Sequence, residues 1–462
     1  MITKFHLNKN GDAGPCAAKK GKCPFGSVDE HYDSLEEARK AYERKMENSN
    51  PNLADLVSTD VFKKAINDGH ISERAHPDDE NLRVYSYTKQ VQFSGHWTPE
   101  TLLARGLILQ LPNGDLSKAV IVGRGLPKFF TVEQMAEGDW TRVKLVDDDE
   151  NVTVSEAPEI SWDSPAVVSD KLNGALGLAY VAPDGQLSIS TKGSFSSLEA
   201  EVGTKVIRNL SPEEQKSFRE FALNGKTPLF EIITPQRPHP VYYGDVEELV
   251  ILGSIDNASG KWSPVEKNSE LATKFGFKTA ERLKYPTLKE AVRAPYRLNT
   301  EGFVVTVDGK KGQELYKVKP PEYHALRRFF YASTPKELSA EFSKLDGKSL
   351  STIVSEKEIS FSPELVSSLD PNSPLLAERR KLVFNEIVKP TQELAVRARR
   401  NVDAILTTLG NNPEKRDIAL KINEAPQNER GVMFKALSDI QSGGYSAFEA
   451  ARNQVIQNLK GI

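Results

Sequence analysis

Cysteine is scarce in this chain of 462 residues, which contains only Cys16 and Cys23. Two cysteines cannot build a disulfide framework, so we expect a reducing compartment. The amino terminus lacks the apolar segment of a signal peptide, and no apolar run of about 18 residues occurs anywhere in the chain. These absences predict a cytoplasmic protein without a membrane-spanning helix.

A surplus of positive charge is also missing. The chain carries 61 basic and 64 acidic side chains, which gives a net charge of −3. This balance excludes a protein that coats nucleic acid through bulk positive charge, but it is compatible with an enzyme that has a locally basic cleft. Hydrophobic residues (38%) and charged residues (27%) occur in the proportions of an ordinary folded protein, and 462 residues are enough for two or three domains.

Changes of pattern along the chain predict three regions. Residues 1–50 hold both cysteines and form a small amino-terminal Cys/His module. Residues 51–330 are rich in short strands, with hairpins across turns at 112–115, 183–185 and 308–309. Residues 331–462 lose the strand signals and contain helix starts, which predict an all-helical domain. Because strands and helices do not alternate regularly, we expect an α+β fold of antiparallel sheets flanked by helices.

Charged side chains stand at the ends of several predicted strands. Lys171 follows one apolar strand, Glu231 interrupts a second, and Glu301 begins a third. Lys317 and Lys319 alternate on a fourth, where residues two positions apart face the same side. Each element alone is a weak signal. A lysine, two acids and a Lys-x-Lys pair in this order form a far more specific pattern.

This order and spacing resembles the covalent nucleotidyltransferase superfamily of RNA ligases, DNA ligases and mRNA capping enzymes. Segment 170–174, which contains Lys171 and Gly174, is similar to nucleotidyltransferase motif I. Segments 230–231, 301–302 and 317–319 are similar to motifs IIIa, IV and V.

Within the superfamily, the chain most resembles the bacteriophage RNA ligase 1 family. The resemblance rests on residues outside the shared motifs: Ala-Arg-Gly at 104–106, Lys-Phe-Phe at 128–130 and Thr-Lys-Gly-Ser at 191–194. It runs over residues 85–330. It implies a nucleotidyltransferase domain of the ATP-grasp-like ligase type, followed by a helical carboxy-terminal domain.

The resemblance implies an ATP-dependent RNA ligase that joins 5′-phosphate and 3′-OH ends through a lysyl-AMP intermediate on Lys171. Lys317 and Lys319 would act with it as catalytic cations that stabilise the developing phosphoryl charge. Glu231 would accept hydrogen bonds from the ribose of ATP. Gly174 would let the nucleotide approach the backbone closely.

Phosphate and metal ligands follow from the same resemblance. Arg105, Lys128 and Lys192 would orient the β- and γ-phosphates, so that pyrophosphate leaves in line with the attack. Glu301 would hold Mg²⁺ or Mn²⁺ directly or through water, since Mg²⁺ keeps several waters in proteins. Asn173 stands where the usual Lys-x-Asp-Gly motif has aspartate. It keeps an oxygen for a metal-bound water but loses the charge.

The amino-terminal region contains a candidate zinc site. His6, Cys16, Cys23 and His31 would supply two thiolates and two imidazoles, which suit tetrahedral Zn²⁺. The six residues between the cysteines exceed the usual zinc spacing, so reduced cysteines in a small cap are an alternative. The basic segment 16–23 is also a candidate RNA contact.

RNA is the expected partner, with a broken tRNA as the candidate substrate and a role in RNA repair. Basic clusters at 379–381 and 397–400 would hold RNA phosphates, although a solvated helix face would look the same. No P-loop kinase motif occurs in the chain, so a separate enzyme would heal damaged ends where healing is needed. The expected location is the cytoplasm, or the host cytoplasm if a phage encodes the chain.

Two other functions compete with this prediction. A DNA ligase or a capping enzyme would usually carry an OB fold after motif V, where this chain proceeds directly to helical patterns. An AMP- and RNA-binding protein with an inactive ligase fold is supported only by Asn173. The retained Lys171, Glu301 and lysine pair oppose it.

Overall fold

In a computed structural model of the chain, two compact units follow one another, the first ending at Pro320 and the second beginning at Pro321. The division comes ten residues before the predicted boundary at 331, because the helix Pro321–Tyr331 already belongs to the second unit. A separate module at residues 1–50 stays a prediction, since most of it lies outside the described residues. The structure describes residues 5–7, 13–15, 31–34, 36–37, 50–134, 142–146, 152–156, 160–264, 269–309, 312–332, 334, 337–338 and 346–460.

The first unit is built mainly from antiparallel β-sheets. In chain order its strands are β1 (Phe5–Leu7), β2 (Ala13–Pro15), β3 (Ile71–His76), β4 (Asp79–Tyr87), β5 (Arg105–Gln110), β6 (Val120–Gly123), β7 (Phe130–Gln134), β8 (Arg142–Val146), β9 (Val152–Glu156), β10 (Ala166–Asp170), β11 (Ala175–Val181), β12 (Leu187–Thr191), β13 (Lys226–Ile233), β14 (Glu248–Asp256), β15 (Trp262–Pro264), β16 (Lys278–Thr279), β17 (Arg282–Leu283), β18 (Phe303–Gly309) and β19 (Gly312–Val318). Among these strands only the β7–β19 and β14–β16 pairs are parallel. The predicted α+β class with antiparallel sheets is therefore confirmed.

The strands form one two-stranded sheet and three larger ones. Strands β3 to β6 make a four-stranded sheet, and the order β17-β10-β18-β19-β7-β8-β9 makes a seven-stranded sheet. The third has the order β12-β11-β13-β14-β15, with β16 added on β14. All three predicted hairpins are confirmed as the antiparallel pairs β5–β6, β11–β12 and β18–β19.

Helices of the first unit flank these sheets. They are α1 (Thr59–Asn67), α2 (Lys89–Ser94), α3 (Pro99–Leu103), α4 (Leu198–Arg208), α5 (Pro212–Ala222), α6 (Ser269–Phe275) and α7 (Leu288–Val292). The start of α5 follows from its sequence, because Ser211 caps the helix and Pro212 occupies its first turn. The Glu214 carboxylate completes the capping box by accepting the Ser211 backbone N–H at 2.8 Å.

The chain crosses between two sheets at residues 171–174. Strand β10 belongs to the seven-stranded sheet, while β11, which follows directly, belongs to the six-stranded sheet. Leu178 of β11 packs with Ile108 of the four-stranded sheet and Leu229 of β13 in one apolar core. The crossing segment therefore lies at the junction of two sheets whose strands are fixed by buried apolar side chains.

The second unit is helical throughout its described part, as predicted. Its helices are α8 (Pro321–Tyr331), α9 (Gly347–Thr352), α10 (Pro363–Ser368), α11 (Leu375–Val383), α12 (Lys389–Leu409), α13 (Lys415–Asn423), α14 (Gln427–Ser442) and α15 (Ser446–Lys460). A π-helical turn, Phe384–Val388, joins α11 to α12 without a break. Pro390 follows it, and a proline ring collides with the carbonyl four residues earlier, which the wider turn relieves. Every helix in the described ranges is too short or too polar to span a bilayer.

The two basic clusters of the second unit differ in their surroundings. Arg379 donates hydrogen bonds to the carbonyls of Phe329 and Phe330, and Arg380 donates to that of Ile359. Arg379 therefore joins α11 to α8, and Arg380 joins α11 to the segment between α9 and α10. In the other cluster, at 397–400, Arg397 pairs with Glu429 at 2.8 Å, and the neighbouring Arg399 and Arg400 are exposed.

Gly302 is required where Glu301 meets β18. Its φ is +131°, and a Cβ atom there would collide with the Val318 carbonyl oxygen. Gly302→Ala should therefore lower the free energy of unfolding by about 2 kcal/mol, the usual size of such backbone strain. All four tryptophans precede Pro321, so urea unfolding followed by tryptophan fluorescence reports on the first unit.

Gly185→Ala is the matched control for this substitution. Gly185 also has a positive φ, +78°, but a Cβ atom there would meet nothing within 4 Å. Gly185→Ala should lower the free energy of unfolding by about 1 kcal/mol, because only the left-handed backbone conformation is unfavourable for alanine there. Equal losses for the two variants would contradict a steric requirement at Gly302.

Candidate active site

A buried carboxylate lies between two lysines at the junction of the sheets. Glu301 Oε2 is 2.8 Å from Lys171 Nζ, and Glu301 Oε1 is 2.9 Å from Lys319 Nζ. The side chain of Glu301 is 4% exposed. We call these three residues, with Asn173 and Glu231, the lysine–carboxylate cluster.

Strand register brings the three residues together. Asp170 pairs with Phe303, and the Lys171 backbone N–H donates to the Gly302 carbonyl at 2.9 Å, so β10 ends where β18 begins. Phe303 also pairs with Val318, so Lys319 leaves β19 beside the same point. Three residues that are far apart in sequence thus meet at one edge of the seven-stranded sheet.

The charge of Glu301 is set by its two lysines. Burial alone would raise the pKa of this carboxyl, but the ammonium groups of Lys171 and Lys319 outweigh burial and lower its pKa to about 2. The carboxylate is therefore ionised at every physiological pH.

Glu231 lies on the six-stranded sheet, across the junction. Its Oε1 accepts the Gly174 backbone N–H at 2.7 Å. A Cβ atom at position 174 would collide with the Ile232 carbonyl oxygen, which explains the glycine. Burial raises the pKa of Glu231 to about 7, although the ammonium of Lys171 opposes this rise.

Hydrogen bonds hold both the side chain and the backbone of Asn173. Its Nδ2 donates to Glu301 Oε2 at 2.9 Å, and its Oδ1 accepts the Val241 N–H at 3.2 Å. Its backbone N–H donates to the Tyr243 hydroxyl at 2.8 Å. The oxygen that we expect to hold a metal-bound water thus already accepts a hydrogen bond from the Val241 N–H.

Four of the predicted cationic residues share a group of aromatic rings. Lys128, which is buried, places Nζ 5.5 Å from the centre of the Tyr87 ring and 5.4 Å from that of Trp97. Lys192 contacts the same ring, with its Nζ 4.9 Å from the centre of Tyr87. We call Arg105, Lys128, Lys192 and Lys317, with Tyr87, Trp97, Phe129 and Phe130, the basic–aromatic cluster.

Phe129 joins the remaining two cations to this cluster. Its ring centre is 5.7 Å from Arg105 Cζ and 4.9 Å from Lys317 Nζ. Contacts of this kind between a cation and an aromatic face stabilise the charged side chain. The predicted lysine pair is thereby divided, since Lys317 lies in the basic–aromatic cluster while Lys319 contacts Glu301.

Sequence reasoning missed several residues that organise the site. Tyr243 and Asn299 carry no pattern that marks them, because their role depends on a loop that folds back over the site. Arg297 forms an ion pair with Asp170, directly before the predicted nucleophile. Trp97 could have been suspected, since it follows the aromatic strand that ends at Tyr87.

The oxygen ligands present suit a hard divalent cation. Glu301 offers a carboxylate and Asn173 an amide oxygen, which fit Mg²⁺ or Mn²⁺ that takes its other ligands from water and phosphates. Among the residues that the structure describes, no group of three or more His, Cys, Asp or Glu side chains could hold a metal ion. Of the predicted zinc ligands, Cys16 and Cys23 lie outside the described residues, as does the side chain of His6, while His31 is described alone.

Comparison with known proteins decides the family. The profile of a family described as RNA ligase, of the phage T4 RNA ligase 1 type, matches residues 103–337, just over half of the chain. The chain belongs to this RNA ligase family. The predicted family and the predicted enzyme class, an ATP-dependent RNA ligase, are thereby confirmed.

Solved structures similar to this RNA ligase include an archaeal ATP-dependent RNA ligase, with 16% sequence identity and a TM-score of 0.41 over 74% of this chain and 80% of that one. They also include a Naegleria gruberi RNA ligase with PPi, with 12% identity and a TM-score of 0.28 over 55% of this chain and 97% of that one. A comparison with curated proteins finds no match.

Removing the Glu301 charge should destabilise the first unit of this RNA ligase. Glu301→Gln leaves two ammonium groups facing a neutral amide, so we expect a loss of about 3 kcal/mol in unfolding free energy at pH 7. The pKa of Glu301 is depressed, so its contribution is present above the ordinary value of 4.5 and is lost as the pH falls toward 2. The difference between the variant and the wild type should shrink over that range in urea titrations.

Two controls accompany this measurement. Glu220→Gln removes a carboxylate that is 69% exposed and 3.9 Å from Lys216, and it should change stability by less than about 0.5 kcal/mol. Combining Glu301→Gln with Lys319→Met should cost less than the sum of the two single changes, because the partners interact. Additive losses would show that the ion pair contributes nothing.

Proposed function

We propose that this RNA ligase carries AMP on Lys171 and seals RNA 5′-phosphate and 3′-OH ends. In the first step, Lys171 Nζ bonds to the α-phosphorus of ATP, the bond to the β-phosphate oxygen breaks, and pyrophosphate leaves. An oxygen of the RNA 5′-phosphate then displaces Lys171 from AMP. Finally, the 3′-OH oxygen attacks the 5′-phosphate, and AMP leaves. The observation that carries this proposal is the contact between Lys171, at the end of β10, and the buried Glu301.

Lys171 has to lose a proton before it attacks, since only the neutral amine is a nucleophile. The contact with Glu301 favours the ammonium form, so this contact has to open when the nucleotide binds. Glu301, with Asn173 through a water, would hold Mg²⁺ or Mn²⁺. When bound, such a cation supplies positive charge for the phosphates and competes with Lys171 for the Glu301 carboxylate.

The basic–aromatic cluster supports a site for the triphosphate. Arg105, Lys128 and Lys192 would orient the β- and γ-phosphates, and the rings restrict how far these side chains move. Lys317, over the Phe129 ring, and Lys319, beside Glu301, would stabilise the charge that develops at the α-phosphate.

The nucleoside would lie at Gly174 and Glu231. The Glu231 carboxylate would accept hydrogen bonds from the ribose hydroxyls, while it keeps the Gly174 N–H as a donor to its other lone pairs. Close packing against Ile232 requires glycine at position 174. Because glycine has no side chain, the nucleotide could approach the backbone there closely.

RNA repair is the biological role that we propose, with a broken tRNA as the candidate substrate. Arg399 and Arg400 of the helical second unit are exposed and would contact RNA phosphates. A separate enzyme would heal ends that do not carry a 5′-phosphate and a 3′-OH. The proposed setting is the cytoplasm, or the cytoplasm of a host if a phage encodes the chain.

Labelling with α-³²P-ATP tests the covalent step. The full-length protein is incubated with labelled ATP and Mg²⁺ or Mn²⁺ and separated on a denaturing gel. The wild type should carry label, and Lys171→Ala and Lys171→Arg should carry none, because neither variant has the nucleophilic amine. Lys284→Ala removes an exposed lysine and should label like the wild type. Joining of 5′-phosphorylated RNA and DNA strands is then compared.

A wild type that stays unlabelled with both metals would overturn the proposal. An AMP- and RNA-binding protein with an inactive ligase fold would then replace it. Labelling of Lys171→Ala would instead place the nucleophile elsewhere.

The affinity for ATP should depend on the pH through Glu231. Because its pKa is about 7, the carboxylate acceptor is present above this pH and is lost below it. We expect the affinity of Lys171→Arg, which keeps the positive charge, to weaken up to about tenfold per pH unit below pH 7 in calorimetric titrations. Glu231→Gln should remove this slope. An unchanged slope in that variant would assign the titration to another group.

A further inference from the structure

The connection between β13 and β14 folds back onto the crossing segment at residues 171–174. We call residues 234–247 the β13–β14 loop. Its Tyr243 hydroxyl accepts the Asn173 backbone N–H, and its Val241 N–H donates to Asn173 Oδ1. Both the backbone and the side chain of Asn173 are thus bound by the loop.

The other end of the Asn173 amide contacts Glu301. Nδ2 donates to Glu301 Oε2 at 2.9 Å, the same oxygen that Lys171 contacts. The partners fix which amide atom is which, since a backbone N–H needs an acceptor and a carboxylate needs a donor. An aspartate has no such donor, so this bridge requires the amide.

A second pair of hydrogen bonds ties the loop to the segment before Glu301. The Tyr242 N–H donates to Asn299 Oδ1 at 2.8 Å, and Asn299 Nδ2 donates to the Tyr242 carbonyl at 2.7 Å. Asn299 has a φ of +57°, a conformation that asparagine tolerates better than most residues. The loop therefore holds both Asn173 and the chain two residues ahead of Glu301.

We infer that Asn173 is a positioning residue whose amide bridges the β13–β14 loop to Glu301 and holds this carboxylate against Lys171 before any divalent cation binds. The inference rests on the proposed role of Lys171 as nucleophile. An aspartate at position 173 would bring a second carboxylate within hydrogen-bond distance of Glu301, and the two lysines would then face two carboxylates, so a divalent cation would stabilise that arrangement more than it stabilises the present one. The asparagine therefore makes the assembly of the site independent of metal.

Thermal unfolding of the full-length protein tests the bridge without any reaction. Melting is followed by tryptophan fluorescence in EDTA and again with Mg²⁺ alone. In EDTA, Asn173→Asp should melt several degrees below the wild type, because it loses a buried hydrogen bond to Glu301 and adds repulsion between two carboxylates. Mg²⁺ should raise the melting temperature of Asn173→Asp more than that of the wild type. Equal melting temperatures and equal Mg²⁺ responses would overturn the inference.

Labelling kinetics separate positioning from mere stability. Tyr243→Phe removes the acceptor of the Asn173 N–H and so loosens the backbone that carries Lys171. It should lower the maximal labelling rate about fivefold, the size of one hydrogen bond, with little change in the ATP concentration at half-maximal rate. Tyr242→Phe is the matched control, because both of its hydrogen bonds to Asn299 use the backbone, and it should label like the wild type. Equal rates for the two variants would overturn a positioning role.

The two proposals fail separately. An unlabelled wild type would remove the lysyl-AMP mechanism, while the melting comparison would still decide whether Asn173 bridges the loop to Glu301. Normal labelling with unchanged melting of Asn173→Asp would leave the mechanism standing and overturn the bridge.

Discussion

The carboxylate of Glu301, shared by two lysines, is the interaction on which the rest of the site depends. A buried carboxylate without partners would be costly and would take up a proton. Lys171 and Lys319 reach it only because β10, β18 and β19 pair in one register, with Gly302 admitting the Val318 carbonyl. The ion pairs therefore depend directly on the β-sheet register. A shift of one residue in the β10–β18 or the β18–β19 pairing would separate the charges.

Two sheets contribute different chemistry to this site. The seven-stranded sheet supplies the ion-paired Lys171, Lys319 and Glu301, and the six-stranded sheet supplies Glu231. The crossing segment at 171–174 lies between them and has to be short. Its backbone is satisfied on both sides, by the Gly302 carbonyl and by the Glu231 carboxylate. The position of Lys171 is thus fixed from both sheets at once.

Local sequence signals predicted the parts of the fold whose causes are local. The three hairpins and the cap at Ser211 are encoded in a few consecutive residues, and the structure has them, although the predicted turn residues Asp308 and Gly309 are paired within the third hairpin. The charged residues at strand ends were found because their order along the chain resembles a family. The contacts of Asn173 were not found, since they come from a loop about 70 residues away that has no periodicity. Arg379 and Arg380 look like a basic surface patch in sequence, and only the fold shows them capping carbonyls.

The Lys171–Glu301 contact also bears on what the protein does not react with. A buried, neutral lysine amine would condense with any small aldehyde or activated acyl compound that entered the site. The nearby Glu301 carboxylate favours the ammonium form of this side chain, which has no lone pair for such reactions. In the proposed reaction, a ligand that competes for the carboxylate would free the amine, so the ion pair would restrict which electrophiles react with the lysine.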